Sequence, residues 1–304
     1  MRYVITGAGQ IGTQLAIDLI GAGHEVTVIR RGEGVVEGAA LVRGDAGDRD
    51  LLRSVVLGKG VAAIFHCIHT SYDSRAWTTD LPPREQAVLD VAAEAGIPVV
   101  FPESVYAFGT GAQELTEEVL AQTPVPASPL GEVRAQLLAS RAAHPATTLS
   151  IVAADLIGPT ADPATSVFEM LVLGPASSGK TAWVLGDPDA RRSVTWIPDL
   201  TAAMVAAAEH ADTLVSDGDA VLLAPASVTM AQRQMADAAS PDRKATVRHI
   251  PWPVLRVAGW FSPMMRELHH QRYLWDSPAV LGRGILETDF GVGTPLPADH
   301  PLAA

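Results

Sequence analysis

The run Gly7-Ala8-Gly9-Gln10-Ile11-Gly12 constrains this chain more than any other, because an apolar strand-like segment precedes it and a helical pattern follows. In that setting each glycine has its own task. Gly7 permits a tight turn, Gly9 lets the backbone approach a pyrophosphate, and Gly12 allows the helix to lie close on a sheet. Amide groups at the helix start, at Gln10 and Ile11, then face the anion. The spacing predicts a Rossmann turn with a dinucleotide over residues 7–12; a bare glycine turn is the alternative.

The second strand should end beside the adenosine ribose, where an acidic side chain would hold the 2′-hydroxyl of NAD. Here it ends in Arg30-Arg31. Guanidinium groups make bidentate, charge-assisted bonds to phosphate, so the position favours the 2′-phosphate of NADP(H) over a plain ribose. Two solvated surface arginines are the competing reading.

Apolar runs and helical periodicities alternate from there on. Tyr3 to Thr6, Glu25 to Ile29, Ala40 to Val42, Val61 to His66, Val99 to Phe101 and Thr148 to Ala153 read as strands. Gln14 to Ile20, Asp50 to Val56, Arg84 to Ala95, Gly131 to Ala143 and Leu200 to Glu209 read as helices, with Gly96 as a stop. Repeated strand–helix units require crossovers and give an α/β fold: a doubly wound parallel sheet of Rossmann type, covered on both faces. Residues 1–158, with returning segments near 192–224, form the expected dinucleotide-binding domain. Residues 159–191 and 225–304 form a smaller substrate domain.

Charge and composition exclude several partners. With 22 Lys and Arg against 34 Asp and Glu, the formal charge is -12. Such a chain repels polyanions, so nucleic acid and anionic membrane are poor partners and a small molecule is the better one. No apolar run approaches the length of a membrane span, and Met1 runs almost directly into the first strand; a cytoplasmic protein is expected. The single cysteine, Cys67, excludes an internal disulfide and a thiolate metal cluster, and reads as a buried strand residue.

Thr6 to Gly12, Gly44-Asp45, Phe65-His66-Cys67, Phe101 to Gly109, Leu156-Ile157-Gly158-Pro159 and Gly186-Asp187 through Asp199 together resemble the extended short-chain dehydrogenases/reductases, the group with nucleotide-sugar epimerases and dehydratases. The resemblance implies that Asp45 lies near the adenine amine and that His66 to His69, Cys67 included, pass along the pyrophosphate and ribose. It also implies that Ser104 bonds the substrate carbonyl or hydroxyl, and that the protein pairs as a homodimer through the helices of Arg84 to Ala95 and Gly131 to Ala143. The family's Tyr-x-x-x-Lys helix reads Pro129-Leu130-Gly131-Glu132-Val133-Arg134 here. Leu130 cannot titrate. Arg134 can bond ribose hydroxyls but cannot act as an acid.

Tyr106, two places beyond Ser104, is then the leading candidate for the proton; it can serve if a cation lowers its pKa, and otherwise it lines the pocket. His69 and Tyr72 are weaker candidates in a loop bordering the ligand crevice. Gly174 to Thr181 has a Walker A spelling, but Gly186, Asp187 and Pro188 forbid the helix that a P-loop needs. His269-His270 reads as a surface pair without metal-ligand spacing, Asp237 to Lys244 (with Arg243) as a solvated loop, and Trp252 to Met265 as small-domain core. The leading expectation is an atypical NADP(H)-dependent reductase; a catalytically silent NADP(H)-binding regulator and a non-redox lyase or isomerase are the alternatives.

Overall fold

In the computed structural model, residues 1–163, 166–242 and 244–303 are described; Arg243 lies outside them. The layers of the large sheet are built by β1 (Arg2–Thr6), α1 (Gln10–Gly21), β2 (Glu25–Arg30), β3 (Ala40–Arg43), α2 (Arg49–Val56), β4 (Val61–His66), α3 (Ser74–Ala95), β5 (Val99–Ser104), α4 (Pro129–Ala142), β6 (Thr148–Ala153), α5 (Ile197–Glu209) and β7 (Asp219–Leu223). The seven strands lie in the order β3-β2-β1-β4-β5-β6-β7, and every pairing among them is parallel. A parallel sheet is buried on both faces, which explains why its strands are near-continuous apolar runs. In β1, Tyr3 and Ile5 join the core shared with α1 and α5, whereas Val4 joins the core shared with α2 and α3. Strand order reverses between β1 and β4, and the loops leaving their C-terminal ends border the crevice where this architecture takes its ligands.

Two elements run further than the sequence pattern suggests. The helix expected from Arg84 begins at Ser74, capped by Asp73, and carries Pro82 and Pro83 inside it before Gly96 ends it at φ 65°. Proline reads as a helix start because it removes an amide donor. Here the turns before it are held by packing, since Trp77 and Leu81 are buried against Leu130, Val133 and Leu137 of α4. Similarly, β5 continues through Pro102 and Glu103 to pair Ser104 with Ala153 of β6, which carries Ser104 to the C-terminal edge of the sheet.

A smaller body contains a three-stranded sheet of Asp155–Ile157, Arg191–Trp196 and Val228–Ala231, and a two-stranded sheet of Ala182–Leu185 with Val247–Ile250. Arg191–Trp196 thus pairs in this sheet, and α5 and β7 are the segments that rejoin the large one. The Walker-like run precedes a strand, not a helix: Ala182 follows directly on Lys180-Thr181. Trp252, Met264 and Met265 pack on the core, whereas Trp260 and Phe261, on the turn between the helices Trp252–Ala258 and Pro263–His270, are 74% and 86% exposed. The His269 and His270 rings lie 6.2 Å apart, and no group of metal-binding side chains occurs among the described residues.

Candidate active and cofactor site

Gly7 sits at φ 89°, a conformation open chiefly to glycine, and its amide donates to the Ile29 carbonyl of β2. A Cβ on Gly12 would lie 2.0 Å from the Gly7 carbonyl oxygen, so helix and turn approach each other as only glycine allows. At Gly9 the same test meets nothing within 4 Å. Gly9 therefore opens onto free space above the first turn of α1, which has neither a side-chain cap nor an acidic residue. Unsatisfied helix-start amides beside such an opening fit a pyrophosphate. The side chain of Gln10 points elsewhere, accepting from the Asp162 amide, while Ile11 packs on the core. Cys67 follows β4, donates its amide to Thr6, and has its thiol pushed up to about 12 by burial, so it is inert. Beside it, His66 is buried with Nδ1 2.7 Å from Thr6 Oγ1 and Nε2 without a partner; burial and the Arg141 and Arg134 charges push it down to about 3.

Arg30 and Arg31 do end β2, as the sequence places them. Arg30 folds back to donate to the Gly34 carbonyl, and Arg31 is exposed. In register with Arg30 on the neighbouring strand stands Arg43, so three guanidinium groups collect near one strand end. Asp45 is engaged by Arg84 through both oxygens (2.9 and 3.0 Å) and also accepts from the Gly47 amide, contacts that hold its carboxyl below the usual range.

Ser104, Tyr106 and Arg134 converge at the end of β5, through a group of residues that local sequence gives no reason to associate. Glu103, one place before Ser104, is buried; its Oε1 accepts from the Ser104 amide (2.7 Å) and lies 3.4 Å from Arg134 Nε. Its Oε2 accepts from Arg141, which also pairs with Glu85 through two bonds. Two buried carboxylates and two buried guanidinium groups therefore balance one another beneath the site. The Arg134 guanidinium lies 4.6 Å over the Trp77 ring, and no hydrogen bond from its outer nitrogens occurs among the described residues. Trp77 also stacks on Tyr106 at 6.3 Å and meets His69 edge-on at 5.1 Å. Leu130 is fully buried in the same cluster, facing Trp77 rather than solvent.

Tyr72 Oη donates to Tyr106 Oη at 3.0 Å, leaving the Tyr106 proton free to be given elsewhere. Burial and the Asp155 charge push Tyr106 up to about 12; the cation-lowered phenol that the sequence reasoning required is not what surrounds it. His69, packed on Trp77 and near Arg134, is pushed down to about 4 and stays neutral at pH 7. Beyond Ser104 and Tyr106 opens a small cleft of about 70 Å³. Asp155, Arg192 and Trp275 form its far wall, with small residues such as Ala112, Ala153 and Ala279 between.

The NAD dependent epimerase/dehydratase family matches residues 3–222. The chain belongs to this family. Among solved structures that resemble this family member, Pal from Bacillus thuringiensis superposes with a TM-score of 0.72 at 16% identity, covering 99% of this chain and 96% of that one. UDP-glucose 4-epimerase from Thermotoga maritima, solved with UDP-glucose, gives 0.66 at 18% identity over 83% and 86% of the two chains. WbmH from Bordetella bronchiseptica, in complex with NAD+, gives 0.63 at 19% over 82% and 85%. A comparison with curated proteins finds no match.

Within this epimerase/dehydratase member, four residues of the site escaped sequence reasoning: Trp77, Glu103, Asp155 and Arg192. Arg192 had a usable signal, because it lies inside a segment that carries the family resemblance, and Asp155 stands one residue before another. Trp77 had none, since two prolines separate it from the periodic part of α3.

Proposed function

We propose that the chain is an NADP(H)-dependent oxidoreductase of the atypical extended short-chain type, acting on a small carbonyl-like substrate in the cleft beyond Ser104. The observation that carries this reading is the uncapped first turn of α1 beneath an open Gly9, with Ser104 and Arg134 at the C-terminal edge of the same sheet. When bound, the nicotinamide nucleotide supplies or takes a hydride. The amides of the turn hold its diphosphate; Arg30 and Arg31, by unbending toward solvent, hold the 2′-phosphate. Arg134 offers its outer nitrogens to ribose hydroxyls. The Ser104 hydroxyl orients the substrate oxygen, and Tyr106, kept protonated at neutral pH, gives its proton only to a strong base such as a developing alkoxide.

A second reading, a catalytically silent NADP(H)-binding regulator, is favoured by the burial of Leu130 and the raised Tyr106. Absorbance of NADPH in the presence of a panel of ketones, enones and imines separates the two: oxidation with any of them supports the enzyme. Calorimetry should show Arg30→Ala weakening NADPH by roughly 10- to 100-fold, the size of one charge-assisted contact, and NADH far less. Equal losses would remove the NADP(H) assignment, and no saturable uptake of either nucleotide would remove both readings.

A further inference from the structure

The cleft contains one guanidinium, and it is already held on three sides. Arg192 Nη2 donates to Asp155 Oδ2 (2.9 Å), Nη1 donates to the Leu274 carbonyl (2.7 Å), and the guanidinium plane lies 3.9 Å over the Trp275 ring. Only Nε, buried, is without a partner. Phosphate recognition by arginine uses two parallel N–H groups of the fork, and here one outer nitrogen cannot be offered without breaking the pair to Asp155. Asp155 adds a second obstacle. Its side chain is 27% exposed and lines the cleft, and its Oδ1 has no hydrogen-bond partner among the described residues, so an acceptor with a negative charge faces whatever enters. The remaining polar side chains among the described lining residues, Ser104, Tyr106 and Ser193, are neutral hydroxyls. A diphosphate would meet a neutralised cation, a carboxylate and no other positive charge among the described residues of the lining.

We propose that Asp155 is the specificity-determining residue of this cleft: by occupying Arg192 and presenting Oδ1, it closes the site to diphosphate-bearing substrates and admits compact, uncharged or cationic molecules whose hydroxyl or ammonium donates to it. This rests on the reading of the cleft as the substrate site of a nicotinamide-dependent protein. It also sets this chain apart from the relatives solved with UDP-glucose, whose ligand carries the diphosphate that Asp155 turns away.

Titration calorimetry of the NADP+-loaded protein with UDP-glucose and with inorganic pyrophosphate tests it. The wild-type protein should show no saturable binding of either at millimolar concentration. Asp155→Asn, which keeps the shape and removes the charge, should bind both at least about tenfold more tightly, the scale of one unit charge removed a few ångströms away. Saturable micromolar binding of UDP-glucose by the wild-type protein overturns the proposal, and so does Asp155→Asn binding no better than wild type. Asp155→Ala repeats the comparison, NADPH affinity reports which variants are folded, and the wild-type titrations decide alone if neither is. If NADPH is not taken up at all, the nucleotide reading fails, while the same anion titrations on the protein without nucleotide still decide whether Asp155 excludes them.

Discussion

Arg134 is a firmly held side chain at the edge of the candidate site. Stacked on Trp77 and paired with Glu103, it is fixed in orientation, and a guanidinium fixed in this way remains a hydrogen-bond donor at every working pH. In the proposed reaction the proton then comes from Tyr106 or from solvent. If Tyr106 gives the proton, Tyr106→Phe should leave NADPH affinity within about twofold and lower turnover by roughly 100-fold or more, as removal of a positioned acid does; steady-state rates beside a binding titration check this, and an unchanged rate would return the tyrosine to a wall residue. Ser104 and Arg134 were readable because the resemblance aligns them one by one. Glu103 was not: a glutamate inside a strand reads as a solvated edge, and only the arrival of Arg134 and Arg141 from a helix more than thirty residues later makes burial tolerable.

At the scale of elements, that charge cluster joins three of them. Glu85 of α3, Glu103 of β5 and Arg134 and Arg141 of α4 are bound together, with Arg141 also lying over the Phe101 ring and donating to Ser150 Oγ. Breaking a buried pair leaves an uncompensated charge, so Glu103→Ala should cost about 3–5 kcal/mol in urea unfolding, whereas Glu103→Gln, which keeps an acceptor for the Ser104 amide, should cost less. A loss below about 1 kcal/mol for both would mean that the cluster is hydrated and structurally idle. The inner strands of the large sheet were legible because they are short apolar runs buried on both faces, whereas the edge strand Ala40–Arg43 is exposed at both ends; the helices were legible because their periodicity is clean. What stayed hidden were the extensions: the first turns of α3 lie behind Pro82-Pro83, and the end of β5 behind Pro102-Glu103. In both, tertiary contacts hold the backbone in a state that local propensity opposes.

Across the whole molecule, stability should depend on pH through His66. Its folded-state pKa, pushed down to about 3 by burial and the neighbouring arginines, lies below the ordinary histidine value near 6.5. The unfolded chain therefore binds a proton that the folded one refuses, and stability falls as pH drops from about 6.5, by up to about 1.4 kcal/mol per pH unit. Urea unfolding between pH 6.5 and 5, before most carboxylates titrate, should show a shallower slope for His66→Asn than for wild type; equal slopes would mean that the imidazole is hydrated. No helix among the described residues is long and apolar enough to cross a membrane. The cleft is assembled from residues 104 to 281, which is why its chemistry could not be read from any one stretch. The seating of Trp77 against Leu130 and Arg134 limits what residue 130 can become. Tyrosine and lysine at 130 and 134 would place a phenol where an indole already fills the room, so the double substitution should cost about 1–3 kcal/mol in urea unfolding from overcrowding until residue 77 shrinks as well.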